Sequence, residues 1–236
     1  SLNSVLRQFR AEHGEDWAAL PAHVAIQLND THPTVAIPEL LRLWIEEEHL
    51  EFAPAFGIVQ GAFAYTNHTI MAEALEKWDV ELFYSVLPGV YPYVVMLQNH
   101  LARVLHQKGI DGPSQDPYRI VQDGRVHMAR MAVVATHSTN GVAALHTEIL
   151  TNDVLHEGYT LYPERFNNKT NGVTQRRWLG LCNPGLSSFI TGRIGDGWLT
   201  DLDELQKLVP YAEDTASLRQ FMDIKRENKR KLADHV

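Results

Sequence analysis

Cysteine occurs once in this chain, at Cys182, so no internal disulfide can staple it. Such thiol usage suits a reducing compartment, and a cytoplasmic location is the expectation. No apolar run approaches the roughly 20 residues that a membrane-spanning helix requires. The first ten residues lack the long apolar segment of a secretory signal. A basic excess is missing too: 21 Lys and Arg against 29 Asp and Glu leave a net charge of −8. A nucleic-acid backbone is therefore not an expected partner. The chain has no P-loop, no G-x-G-x-x-G and no G-x-S-x-G, so the usual marks of phosphate loops, dinucleotide sites and hydrolase nucleophile elbows are absent. Cys182, between Leu181 and Asn183-Pro184, reads as a buried thiol rather than a nucleophile.

What is present is a chain of 236 residues with 44% hydrophobic content, enough for one large domain or two small ones. Residues 1–13 already carry a helical stripe (Val5, Leu6, Phe9) stopped by Gly14. From Ala216 onward a second stripe, through Leu218, Phe221, Met222, Ile224 and Leu232, runs to the last residues. Neither end has a loose polar tail, so an internal piece of a longer protein is expected.

Between the ends, apolar runs alternate with polar elbows and helical patterns. Residues 24–28 read as a buried strand broken at Asn29-Asp30-Thr31-His32-Pro33, and a helix follows with Leu40, Leu41, Trp44 and Ile45 inward. Residues 61–65 form a second run, ended by Thr66-Asn67-His68-Thr69. A helix is expected to carry Met71, Leu75, Trp78, Leu82 and Val86, and another to span 93–108 with Val94, Leu97, Leu101, Val104 and Leu105 inward and Gly109 as its cap. Residues 110–124 read as a loop, and 125–136 as buried helix or strand. The elbow His137-Ser138-Thr139-Asn140-Gly141 precedes a helix over 142–150. This rhythm argues for a helix-rich α/β layer with a partly parallel sheet, whose ligands gather beyond the carboxyl ends of the strands. The elbows at 29–33, 66–69 and 137–141 and the polar stretch 167–171 are thus expected on one rim. After Trp178 the pattern changes to helices and turns, with helices expected over 201–209 and from 216 to the end. A domain boundary is expected near 172–180.

A rim of Asn, Thr, His and Asp with aromatics nearby (Tyr65, Trp178) suits a neutral, hydroxylated ligand, because each sugar hydroxyl both donates and accepts. His68 is the leading single candidate. Asp30 reads either as a site residue or as the cap of the following helix. Asp30-Thr31-His32 resembles the D-x-H pairs of metallohydrolases, but no H-E-x-x-H and no second carboxylate at a telling spacing accompany it, so no metal is expected. A metal-dependent hydrolase and a non-catalytic carbohydrate-binding or interaction module stand as the alternatives to a sugar-processing enzyme.

Asn29-Asp30-Thr31-His32-Pro33 with Ile37-Pro38-Glu39-Leu40, Ala64-Tyr65-Thr66-Asn67-His68-Thr69 and Glu73-Ala74-Leu75-Glu76-Lys77-Trp78 resemble the glycogen/starch/maltodextrin phosphorylase family. So do His137 to Ala143, Asn168-Lys169-Thr170-Asn171-Gly172, Arg176-Arg177-Trp178, Cys182-Asn183-Pro184-Gly185 and Asp201-Leu202-Asp203-Glu204-Leu205. The motifs stand in order from about Val24 to the end. The resemblance implies a fragment of a retaining α-1,4-glucan phosphorylase, a glycosyltransferase that passes terminal glucose to inorganic phosphate and releases glucose 1-phosphate. It implies a glycosyltransferase-B-type fold of two Rossmann-like lobes. Residues 1–172 would be the later half of the N-terminal, sugar-facing lobe. Residues 173–236 would be the inter-lobe connection and the opening helices of the cofactor lobe.

By the same resemblance, Asp30 and His68 carry catalytic roles, with the Asp30 carboxylate lining the pocket beside the anomeric carbon. His68, Val142 and Asn171 bind substrate, His68 and Asn171 at the 6-hydroxyl, and Trp178 lies against pyridoxal 5′-phosphate. That cofactor's attachment lysine, the phosphate-binding Lys/Arg cluster and the glycine loop of the first lobe match no segment here, so the chain alone is expected to be inactive. The homodimer contact and allosteric control typical of the family are likewise expected outside these residues. Two positions depart from the family pattern: Leu87-Pro88-Gly89 stands where many members have Leu-Pro-Arg, and Gln175 replaces a frequent proline.

Overall fold

A computed structural model describes residues 2–235, with the side chain of Ala74 left aside. Two compact units divide the chain, Ser1–Asn171 and Gly172–Val236. The larger unit is built on a four-stranded parallel sheet. Its strands are β1 (Ile26–Asn29), β2 (Phe63–Thr66), β6 (Ser138–Gly141) and β7 (Phe166–Asn168), in the order β1-β2-β6-β7. A smaller antiparallel sheet joins β3 (Lys77–Asp79), β5 (Arg125–His127) and β4 (Val121–Gln122), in that order.

Strands β1 and β2 of the parallel sheet alternate in burial, whereas parallel strands enclosed on both faces do not. Leu28, Phe63, Tyr65 and Thr139 point to one face and are buried. Gln27, Asn29, Thr66, Ser138, Asn140 and Asn167 fall on the other by the period of two and by the register Asn29↔Thr66, Thr66↔Asn140 and Asn140↔Asn167. The apolar face packs on helices whose stripes are sealed. Ile37, Leu40 and Leu41 of Ala36–Arg42 are buried, as are Ala55, Phe56, Val59 and Ala62 of Phe52–Ala62. Tyr91–Gln107 turns Val94, Leu97, Leu101 and Leu105 inward at helical spacing, with Pro92 in its first turn. Its end is a left-handed cap: Gly109 takes φ +75°, its N–H reaches His106 O, and the Ile110 N–H reaches Leu105 O.

Several expectations fail for identifiable reasons. The stretch 71–86 is not one helix. It holds a short 3₁₀ turn (Ala72–Ala74), then β3, then a helix (Val80–Val86) that Asp79 caps through the N–H groups of Glu81 and Leu82. Met71, Leu82 and Val86 are exposed, and Phe83 is the buried residue. Residues 125–136 are both things in turn, β5 and then the helix Met128–Ala135, in which every residue but Arg130 is buried. The loop expected over 110–124 contains a 3₁₀ segment (Gly112–Tyr118) and β4. A two-residue turn at Asp123-Gly124, both left-handed, pairs β4 with β5. The elbow expected at 137–141 is itself largely strand β6. The helix Phe52–Ala62 was not expected, because Pro54, Gly57 and Gly61 within it are poor helix formers.

The smaller unit holds a π-helical turn (Arg176–Leu181), helix Pro184–Ile194, a 3₁₀ segment (Leu202–Ala212) where a helix was expected, and helix Thr215–Ala233. Arg193 ties its two long helices, donating to Ser217 Oγ (3.0 Å) and Gln220 Oε1 (3.1 Å) while lying over the Phe189 ring. Cys182 is exposed, not buried as its neighbours suggested. No helix among the described residues is long and apolar enough to cross a membrane.

Candidate functional site

The polar face of the parallel sheet forms the floor of an open groove in the larger unit, about 480 Å³ in volume. That volume falls within the usual range for small-molecule sites. Strand residues Gln27, Asn29, Thr66, Ser138, Asn140 and Asn167 supply the floor, and the loops that follow supply His68, Val142, Lys169 and Asn171. The floor is cross-linked before any ligand arrives. Gln27 Nε2 donates to Thr66 Oγ1 at 2.8 Å, and Thr66 Oγ1 donates to Asn140 Oδ1 at 2.8 Å. Asn167 Nδ2 donates to Ser138 Oγ at 2.9 Å, and Lys169 Nζ to Asn167 Oδ1 at 2.5 Å. His68 Nε2 is hydrogen-bonded to Asn29 Oδ1, which fixes the ring and leaves Nδ1 for another partner.

His68, Val142 and Asn171 are brought together here. The Asn171 side-chain amide makes no hydrogen bond among the described residues and is exposed. Two donors and an acceptor thus stand ready for hydroxyls. Among the lining residues Lys169 carries the only fixed charge, and no carboxylate is present. That balance suits a neutral or anionic ligand and disfavours a cation.

Asp30 does not line the groove, although its neighbour Asn29 does. It sits just past β1 in left-handed backbone (φ +68°), with its N–H on Thr66 O and its carboxylate accepting the Thr31 N–H at 2.7 Å. It does not cap the next helix, whose flanking residue is Val35. Tyr65 is no ligand-facing aromatic. It is fully buried on the opposite face, where its hydroxyl accepts from Asn67 Nδ2, and burial pushes its ionisation well above the usual phenol range. Trp178 belongs to the smaller unit, on the π-helical turn, with 59% of its surface exposed. No three His, Cys, Asp or Glu side chains among the described residues converge as metal ligands would.

Gln27 is a site residue that the linear reading missed, whereas Asn140 and Lys169 fall within the stretches expected on the rim without having been singled out. The signal was the strict alternation of Ile26-Gln27-Leu28-Asn29, which places Gln27 beside Asn29 on one face.

The whole chain, residues 1–236, matches the model of the carbohydrate phosphorylases. The chain belongs to that family. Among relatives, this phosphorylase chain is 41% identical to the brain form of glycogen phosphorylase from Bos taurus, over 99% of its own length and 29% of the relative's. It is 40% identical to glycogen phosphorylase of Bacillus subtilis, over 100% of its length and 30% of that protein's. It is 44% identical to the glycogen phosphorylase of a Synechocystis species, over 91% of its length and 26% of the relative's. The chain thus spans less than a third of the curated relatives it matches.

Proposed function

We propose that this chain is the sugar-facing part of an α-1,4-glucan phosphorylase, which transfers a terminal glucose to inorganic phosphate and yields glucose 1-phosphate with retention. The observation that carries the reading is the groove itself. It gathers His68, Val142 and Asn171 on a hydrogen-bonded amide and hydroxyl floor without a carboxylate. Names of the relatives, all glycogen phosphorylases, support the same substrate class.

In this reading His68 Nδ1 and the Asn171 amide hold the glucose 6-hydroxyl, while Val142 packs against the ring. The Asp30 carboxylate, one residue from the groove, favours positive charge developing at the anomeric carbon. Residues 1–172 belong to the N-terminal lobe of a two-lobed fold, and 173–236 lead into the second lobe. The whole protein would be a cytoplasmic homodimer acting on glycogen, starch or maltodextrin.

A pyridoxal phosphate fits the smaller unit in one respect: Trp178 offers an exposed flat ring, and its sequence neighbour Arg177 is exposed as well. Trp178 would hold the ring of the cofactor, whose attachment lysine belongs outside residues 1–236. When bound, the cofactor supplies a phosphate group able to relay a proton to substrate phosphate.

The test is release of glucose 1-phosphate from glucan and phosphate by the whole protein. His68→Ala or Asn171→Ala should each lower kcat/KM about tenfold or more, the cost of a lost hydrogen bond at a desolvated site. Residues 1–236 alone should release none. Turnover that survives both substitutions, or that needs no pyridoxal phosphate, sinks the reading.

A further inference from the structure

His146 occupies the first turn of helix Ala144–Ile149 and is not among the residues lining the groove. Its Nδ1 accepts the backbone N–H of Val142 at 3.0 Å. The carbonyl of the same residue accepts the Asn171 N–H at 2.9 Å. Val142 and Asn171 both line the groove, so one imidazole stands behind two of its walls.

Acceptance at Nδ1 assigns the ring proton to Nε2. That Nε2 is buried and meets no hydrogen-bond partner among the described residues. An unpartnered buried N–H is unfavourable, and packing alone would be served as well by an apolar side chain. What the imidazole adds is its contact with Val142.

The surroundings leave that peptide little freedom. A Cβ on Gly141 would lie 2.4 Å from Thr147 Oγ1 and 3.0 Å from the Thr147 backbone, so only glycine lets the helix come this close to β6. Thr147 Oγ1 also reaches Ala143 O at 2.9 Å and Asn168 Oδ1 at 3.1 Å. The Val142 N–H takes no part in this clamp, and its acceptor is His146 Nδ1.

We propose that His146 is a positioning residue for glucan binding: by holding the Val142 peptide, it sets where Val142 and Asn171 meet the sugar. The proposal rests on the reading of the groove as a glucose site.

Three variants of the whole protein separate the contact from the packing. His146→Asn keeps an acceptor near the place of Nδ1, His146→Gln moves it toward Nε2, and His146→Leu removes it. Two readouts are needed: amide hydrogen exchange at Val142, and kcat and KM for glucan at saturating phosphate. The Gln and Leu variants should speed Val142 exchange and raise KM about fivefold to tenfold, the range of one lost hydrogen bond, with kcat changed less. The Asn variant should restore both to within about twofold of the parent. Should Leu impair folding, the Asn–Gln pair carries the test.

Unchanged Val142 exchange in the Gln variant overturns the proposal. An Asn variant no better than Leu, or altered exchange without a change in KM, does the same. Exchange that responds as expected in a protein releasing no glucose 1-phosphate supports the anchoring and overturns the sugar reading instead.

Discussion

The two units reach stability by different means. In Ser1–Asn171 a sheet face and three long apolar stripes close on one another, and Trp44, Phe63, Tyr65, Phe83 and Leu97 have no accessible surface to speak of. In Gly172–Val236 the buried apolar side chains are Ile190 and Trp198, while Leu181 is 76% exposed and Val209 70%. The smaller unit relies on directional contacts: the Arg193 bridge, the Trp198 Nε1 bond to Thr191 Oγ1, and caps from Asn183 and Asp214. Hydrogen bonds of this kind each contribute about 1 kcal/mol net, and one sealed large side chain contributes several times that. The larger unit is therefore the rigid scaffold, and the groove lies on it.

The sharpest way to break this contrast is Trp44→Ala. It should lower unfolding stability by about 3–5 kcal/mol, read from denaturant titration. A cost below about 1 kcal/mol would mean that the core is not as closed as its burial indicates.

His127 gives an intermediate effect. It lies opposite Lys77 in the β3–β5 pair, three residues before Arg130. Burial, aided by those two cations, lowers its pKa from 6.5 to about 4. The folded state disfavours the proton that the unfolded chain takes up below pH 6.5, so stability is full above that value and declines as pH falls toward 4. Melting temperature should drop over this window, and His127→Gln should flatten the drop. An identical pH slope in the variant would assign the loss to other groups.

The smallest effect is expected in the smaller unit. Leu181→Ser should change stability by no more than about 0.5 kcal/mol, because the side chain is already in water. A larger loss in the same denaturant titration would show that Leu181 is enclosed in solution and would narrow the contrast.

Much of the scaffold was legible because burial leaves a periodic trace. The stripe Leu40, Leu41, Trp44 and the stripe Val94, Leu97, Leu101, Leu105 read directly as inward faces. The stop at Gly109 read as well, because left-handed backbone selects glycine. Regions failed where the trace is ambiguous. Leu75, Trp78 and Leu82 have helical spacing, yet Trp78 is in a strand whose partner, Val126, is almost fifty residues away. Phe166-Asn167-Asn168 has no strand-like composition. It is drawn into the sheet by β6, through Thr139↔Phe166 and its neighbours.

By itself the sequence determined the helix-rich α/β class, the polar residues at the strand ends and, through its ordered motifs, the phosphorylase family. Those properties follow from local preference and from residue identity, which a linear reading can see. Only the tertiary structure decided that the polar residues make one surface. A period of two assigns each of them to a face of its own strand, but register alone aligns Asn29 with Thr66, Asn140 and Asn167 across four strands. The same register excluded Tyr65 from the groove and left Asp30 beside it. Pairing between segments as far apart as Thr66 and Asn140 is set by the packing of the whole sheet, and no single stretch of chain records it.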